Sequence, residues 1–215
     1  MTSSPAGRNV LRAITRESVR AHVAEVAIDL YAHRGFDNVT VEDVAAAAGI
    51  STRSFHRYFP AKEDTVIGDP GPWGEFVRDE FTARPAEEPL WRSLRASFDA
   101  LLRAGGTQGE RQKRGLRVLT STASLRSRHI EKHLLWESML TPLVEARLPG
   151  LDAALRARVI VQASIVCFDV ALAAWAVAGE KRSPRELLAA TFEQFDIPAA
   201  AGATSDVWKP SADVV

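Results

Sequence analysis

Apolar residues recur along this chain at helical spacing, in stripes separated by short polar or Gly/Pro breaks. No stretch shows the two-residue alternation of a half-buried strand. Residues 1–14 hold Ser, Pro, Gly and Arg without a period and read as a flexible arm. A first helix is predicted from about Thr15 to Arg34, on the stripe Val19, Val23, Val26, Ala27 and Leu30. Thr40 caps a second, short helix with the stripe Val41, Val44, Ala45 and Ala48. Asp43 supplies an acidic variant of the capping box, and Gly49 ends the helix. Ser51 caps a third helix, Thr52–Phe59, which Pro60 limits.

A fourth helix should begin near Ala61 and break across Gly68-Asp69-Pro70-Gly71-Pro72, with helical pattern resuming at Trp73–Thr82. Further helices are predicted from Pro89 to Arg103, around Arg111–Thr120, from about Ser127 to Arg147, and over Leu151–Ala178. Ser183-Pro184-Arg185-Glu186 is a full capping box that opens a last helix reaching about Asp196. Residues 198–215 read as a disordered tail, on which Trp208 is the one residue suited to docking. The fold class is therefore all-α. A three-helix helix-turn-helix unit occupies residues 15–60, and a larger helical domain for ligand binding and dimerisation occupies 61–197.

The third helix divides by side. Phe55 and Phe59 fall on one face, whereas Arg53, His56 and Arg57 cluster on roughly the opposite one. A helix that enters a major groove needs that split: an apolar side to anchor it and a cationic, hydrogen-bonding side to read. Net charge is zero, which argues against a non-specific nucleic-acid coat. The basic residues are clustered, however. Ser51–Lys62 carries Arg53, Arg57 and Lys62 without an acid, and Arg8, Arg12, Arg16 and Arg20 lie near the N-terminus with only Glu17.

Gly35-Phe36, Thr40-Val41, Val44-Ala45, Ala48-Gly49-Ile50-Ser51, Phe55, Tyr58-Phe59 and Lys62-Glu63 resemble the DNA-binding domain of the TetR family of bacterial transcriptional regulators. The departure is His56, where many relatives carry Tyr. The resemblance implies a homodimer on a palindromic operator. Thr52, Arg53 and Ser54 would meet base edges, while Thr40, Ser51, His56, Arg57, Tyr58 and Lys62 hold phosphates. A lysine in the first turn of the fourth helix opposes the helix dipole, which also points to a phosphate role for Lys62.

One cysteine, Cys167, excludes an intramolecular disulfide and fits a reducing cytoplasm; the N-terminus has no apolar signal core. The window Val159–Ala178 approaches membrane-span length, but Gln162 and Asp169 make a helix buried against protein the better reading. His129 and His133 stand one turn apart in H-I-E-K-H, which is not a zinc-protease pattern. No third ligand is evident, so no metal or other cofactor is predicted. No catalytic constellation is found, so the chain is not read as an enzyme.

Beyond the helix-turn-helix, Trp91, Phe98, Leu102, Leu119, Trp136, Leu140, Phe168 and Trp175 are candidates to line a ligand pocket. Val166, Val170, Ala174, Val177, Leu188 and Phe192 are candidates for the dimer interface. Glu88-Pro89-Leu90, Leu125-Arg126 with Arg128, and Trp136 followed by a long helix resemble the TetR subgroup with an acyl-CoA-like ligand-binding domain, as in mycofactocin-gene regulators. That implies a small-molecule inducer in an apolar tunnel, with Arg126 and Arg128 at its mouth. The alternative is an α-helical lipid or small-molecule binding protein whose basic helix is incidental.

Overall fold

The computed structural model describes residues 5–106 and 109–195, with side chains from residue 15 onward. These residues form ten α-helices and, among them, no strand. In order they are α1 (Pro5–Arg34), α2 (Val41–Ala47), α3 (Thr52–Tyr58), α4 (Asp64–Ile67), α5 (Pro70–Thr82), α6 (Leu90–Ala104), α7 (Glu110–Leu119), α8 (Ala123–Glu145), α9 (Ala153–Ala176) and α10 (Pro184–Glu193). The predicted tail at 198–215, with Trp208, lies outside the described residues.

Helix α1 begins at Pro5, inside the stretch read as a flexible arm. An apolar period reports only the packed part of a helix, and lengthening an existing helix needs no new nucleus. Proline also suits a first helical position, where its missing N–H would have no partner. The same property corrects the start of α5. Helix α4 stops at Gly68 (φ +73°), and the Asp69 carboxylate caps α5 by accepting the Gly71 N–H at 3.0 Å. The helix thus starts at Pro70 rather than Trp73. Helix α8 starts earlier than predicted too, because Thr122 caps it by accepting the Leu125 N–H.

Two apolar cores organise the chain. The first joins Val23, Ala27 and Tyr31 of α1 to Phe36, Val39, Val44, Ala45, Phe55 and Phe59. It does not end at residue 60. Val66 and Ile67 of α4 pack on it, and Val118 of α7 and Leu125 of α8 enter it fully buried. A single turn such as α4 cannot bury a core of its own and takes shelter on the larger neighbour.

The second core lies between α5, α6, α8, α9 and α10, and is built on Val77, Phe98, Trp136, Leu140, Phe168 and Phe192, among others. Helix α9 is at its centre, packed against α6, α7, α8 and α10. By length and composition it could cross a membrane, yet in this fold it is the hub of a bundle. Leu188 and Phe192, expected at a dimer interface, are 1% and 2% exposed. They close the monomer core because the apolar face of α10 turns inward onto α9 and α6. Ala174 is likewise partly buried against that core.

Gly74 allows α5 and α8 to meet closely. A Cβ there would lie 2.7 Å from Trp136 Cδ1 and 2.9 Å from Met139 Sδ. Gly74→Ala is therefore expected to destabilise the fold by about 1–3 kcal/mol through overpacking, despite the better helix propensity of alanine. Thermal denaturation followed by circular dichroism checks this: a Tm at or above that of the native chain would show that the helices are not in such tight contact.

Candidate nucleic-acid interface

The connection from α2 to α3 is built by its caps. Thr40 Oγ1 accepts the Asp43 N–H at 3.1 Å, while the Asp43 carboxylate accepts the Thr40 N–H at 3.0 Å. That backbone hydrogen bond is the main cause holding the Asp43 carboxyl below its usual range. Gly49 makes the turn at φ +69°, a conformation that costs other residues far more. Ser51 Oγ accepts the Ser54 N–H at 3.1 Å and donates to Ser54 Oγ.

Helix α3 then presents two unlike faces. Phe55 and Phe59 are buried, their rings 5.4 Å apart. Arg53, His56 and Arg57 are exposed, with Thr52, Ser54 and Tyr58 half-buried beside them. Arg53 makes no hydrogen bond or ion pair among the described residues. Arg57 stacks over the Tyr58 ring at 5.0 Å and donates to its hydroxyl at 3.2 Å, a pair already arranged to grip an oxyanion. Thr40 accepts through its oxygen, so its own hydroxyl proton can be donated outward.

Lys62 does not stand free for a phosphate. Its Nζ donates to Phe36 O at 2.9 Å and Val39 O at 2.8 Å, and sits 4.1 Å from the Phe36 ring centroid. The dipole argument for it fails because α4 begins at Asp64, leaving Lys62 in the preceding turn. Here the lysine ties the α3–α4 turn to the α1–α2 loop. Arg20 does similar work from α1, donating to Tyr58 O at 2.7 Å and covering Phe59. Behind them, Tyr31 Oη lies 3.2 Å from Thr65 Oγ1, and burial pushes the Tyr31 phenol up to about 12.

Residues 23–66 match the family described as bacterial regulatory proteins, tetR family. That stretch is thus a DNA-binding domain of the TetR type. It is 28% identical over 144 residues to MftR of Mycobacterium tuberculosis, assigned as a mycofactocin biosynthesis transcriptional regulator, covering 63% of this chain and 68% of that one. Among solved structures, a TetR-family regulator from Syntrophomonas wolfei aligns with a TM-score of 0.56 at 12% identity, over 84% of this chain and 94% of that one. FadR of Bacillus subtilis, solved in complex with stearoyl-CoA, aligns with a TM-score of 0.51 at 20% identity, over 80% and 95%. At these identities the structural likeness establishes the TetR fold.

In the larger, C-terminal part of the chain, the predicted pocket residues do not converge on one open space. Phe98, Phe168 and Trp136 stack on one another, with centroids 5.0 Å, 6.1 Å and 6.3 Å apart, and Leu140 is buried in the same core. Trp136 Nε1 donates to Pro70 O at 2.9 Å and Trp91 Nε1 to Phe192 O at 3.0 Å, so both indoles are polar anchors as well as core. Leu102 is buried, as is Trp175, whose ring lies under the Lys113 ammonium. Leu119 belongs elsewhere: it packs against the helix-turn-helix core, because α7 lies along α1.

Neither candidate arginine faces a tunnel mouth. Arg126 is exposed and donates to Thr120 O. Arg128 donates through Nε and Nη2 to Asp64 Oδ1, at 3.3 Å and 3.1 Å, and through Nη1 to Glu131 at 2.6 Å. Those carboxylates raise its already high pKa, Glu131 first. Arg128 therefore joins α8 to α4. No sequence signal could have found this bridge, since its partners are 64 positions apart.

Lys62→Ala should cost about 2 kcal/mol of stability, from two lost charge-assisted hydrogen bonds. Chemical denaturation measures this. A native-like midpoint together with weakened DNA binding would return Lys62 to a phosphate-contact role.

Proposed function

We propose that this TetR-family regulator is a cytoplasmic homodimer that holds a palindromic operator and releases it on binding a small apolar or acyl-CoA-like ligand. The observation that carries the DNA half is the outward face of α3, where Arg53, His56 and Arg57 are exposed opposite the buried Phe55 and Phe59. In this reading Arg53, Thr52 and Ser54 reach base edges in the major groove. Thr40, Ser51, His56, Arg57 and Tyr58 hold the phosphates on either side.

Dimerisation is proposed on α9. Leu155, Val159, Val166, Val170 and Val177 recur along one side of it and remain exposed, Val159 and Val177 by about three-fifths. So continuous an apolar stripe suits a self-complementary contact across a two-fold axis. Such a dimer must set its two α3 helices about 34–36 Å apart, or a multiple, to meet successive major grooves.

The ligand reading is supported by the FadR neighbour bound to stearoyl-CoA and by the similarity to MftR. An acyl chain would have to part the Phe98, Trp136 and Phe168 rings. Because Trp136 is bonded to Pro70 and Arg128 to Asp64, displacing α8 would pull on α4 and so on the helix-turn-helix. A ligand shifts this equilibrium only by its differential affinity for the two forms.

Fluorescence anisotropy with DNA from upstream of the protein's own gene, against random DNA, tests the reading directly. Selective, salt-sensitive binding that long-chain acyl-CoA weakens is expected. Arg53→Ala should reduce the preference for operator over random DNA by about tenfold or more, the worth of one base contact; equal losses on both DNAs would remove it from base reading. The paired substitutions Val166→Glu and Val170→Glu should yield monomers in analytical ultracentrifugation, and a persistent dimer would move the interface off α9.

A further inference from the structure

The His129 and His133 pair acquires a third member in the fold. Asp169 of α9 faces the two histidines of α8, with Oδ2 lying 3.3 Å from His129 Nε2 and 2.7 Å from His133 Nε2. One potential ligand atom from each residue lies within 4.8 Å of the other two. The imidazole rings meet edge to face, 4.3 Å apart, and each of the three side chains is only about a fifth exposed. This is a half-buried cluster held by two packed helices.

Its hydrogen bonding is incomplete. His129 Nδ1, His133 Nε2 and Asp169 Oδ1 are buried without a hydrogen-bond partner among the described residues. His133 Nε2 comes within 2.7 Å of Asp169 Oδ2 without the alignment of a hydrogen bond. Buried polar atoms are normally paired, and a cluster of orphans calls for an ion, a water or a function.

The chemistry of the donors narrows the choice. Two imidazole nitrogens and one carboxylate oxygen suit zinc and its neighbours, whereas magnesium and calcium prefer oxygen throughout. Bond lengths near 2.0–2.1 Å place tetrahedral ligand atoms about 3.3 Å apart, so the His129–Asp169 distance already fits, while His133 would need to draw back from Asp169 and the three atoms, now within 4.8 Å of one another, to settle around the ion.

We propose that His129, His133 and Asp169 form a three-ligand site for a divalent transition-metal ion of the zinc class, with water in the remaining position. The ion pins α8 to α9. Cys167 takes no part, since its thiol donates to Thr191 O of α10. Lys132 opposes the ion: its ammonium acts on the same carboxylate and lies over the Trp136 ring. The site owes nothing to DNA binding. It does load the helix that holds both the Arg128–Asp64 bridge and the Trp136–Pro70 bond.

The test uses the full chain, stripped with a chelator. Zn2+ is titrated against a chromogenic competitor, and Co2+ reports the ligand field by visible absorption. One ion per chain is expected, with a raised Tm. His129→Gln and His133→Gln should each weaken Zn2+ binding at least about tenfold, since even second-shell losses at metal sites reach that size. Lys132→Met should tighten it by removing the competing charge. Circular dichroism of the metal-free variants confirms folding, and the Lys132 variant asks for a gain that misfolding cannot imitate. Zn2+ binding as strong in the double histidine variant as in the native chain would overturn the site, as would a Co2+ complex with no visible band.

Discussion

Asp64 is the group on which the two halves of the molecule hinge. It is buried at the first position of a single-turn helix, where one carboxylate oxygen accepts the Ala61 N–H and the other accepts from Arg128. A buried carboxylate is tolerable only with such partners, and removing either one leaves a charge without compensation. The guanidinium is half in solvent, so its direct electrostatic worth is screened. Its importance is geometric: it fixes the angle at which α8 meets the turn behind the helix-turn-helix.

Helix α8 is consequently a beam between two cores. At one end Leu125 is buried with the DNA-binding helices, and further along Trp136 and Leu140 are buried with the larger domain. Contacts between α1 and α7 run in parallel, through Arg111–Glu25, Arg114–Asp29 and Gly115 packed at Ile28. The break at Gly68 does not sever the connection. Coupling that a long continuous helix would carry along its axis passes here through side chains, on both sides of a glycine in the left-handed region. Because packed cores change by discrete steps, such linked elements favour two arrangements over a continuum.

Helix α9 meets three demands at once. Its inner face holds Ile165, Phe168 and Trp175 in the core, and an outer stripe leaves Val166 and Val170 exposed. Between them Asp169 turns toward α8. An all-round apolar helix looks like a membrane span in composition, and only its neighbours tell the faces apart.

Local signals determined the helix boundaries that caps define: Thr40, Ser51 and Ser183 each accept the hydrogen bond that their position announces, and Gly49 turns where a stop was required. The faces of α3 were equally legible, since a period of 3.6 residues assigns sides without knowledge of a partner. Long side chains and distant partners were not. Lys62 looked like a phosphate ligand until the α1–α2 loop offered two carbonyls, and Arg128 like a ligand clamp until Asp64 arrived. Leu188 and Phe192 are as apolar as any interface residue, and only packing assigned them to the monomer. The carboxylate facing His129 and His133 comes from a separate helix. Sequence by itself determined what is set within a few turns of one helix. Tertiary structure decided everything that depends on which helices lie side by side, because that is a property of the whole packed core.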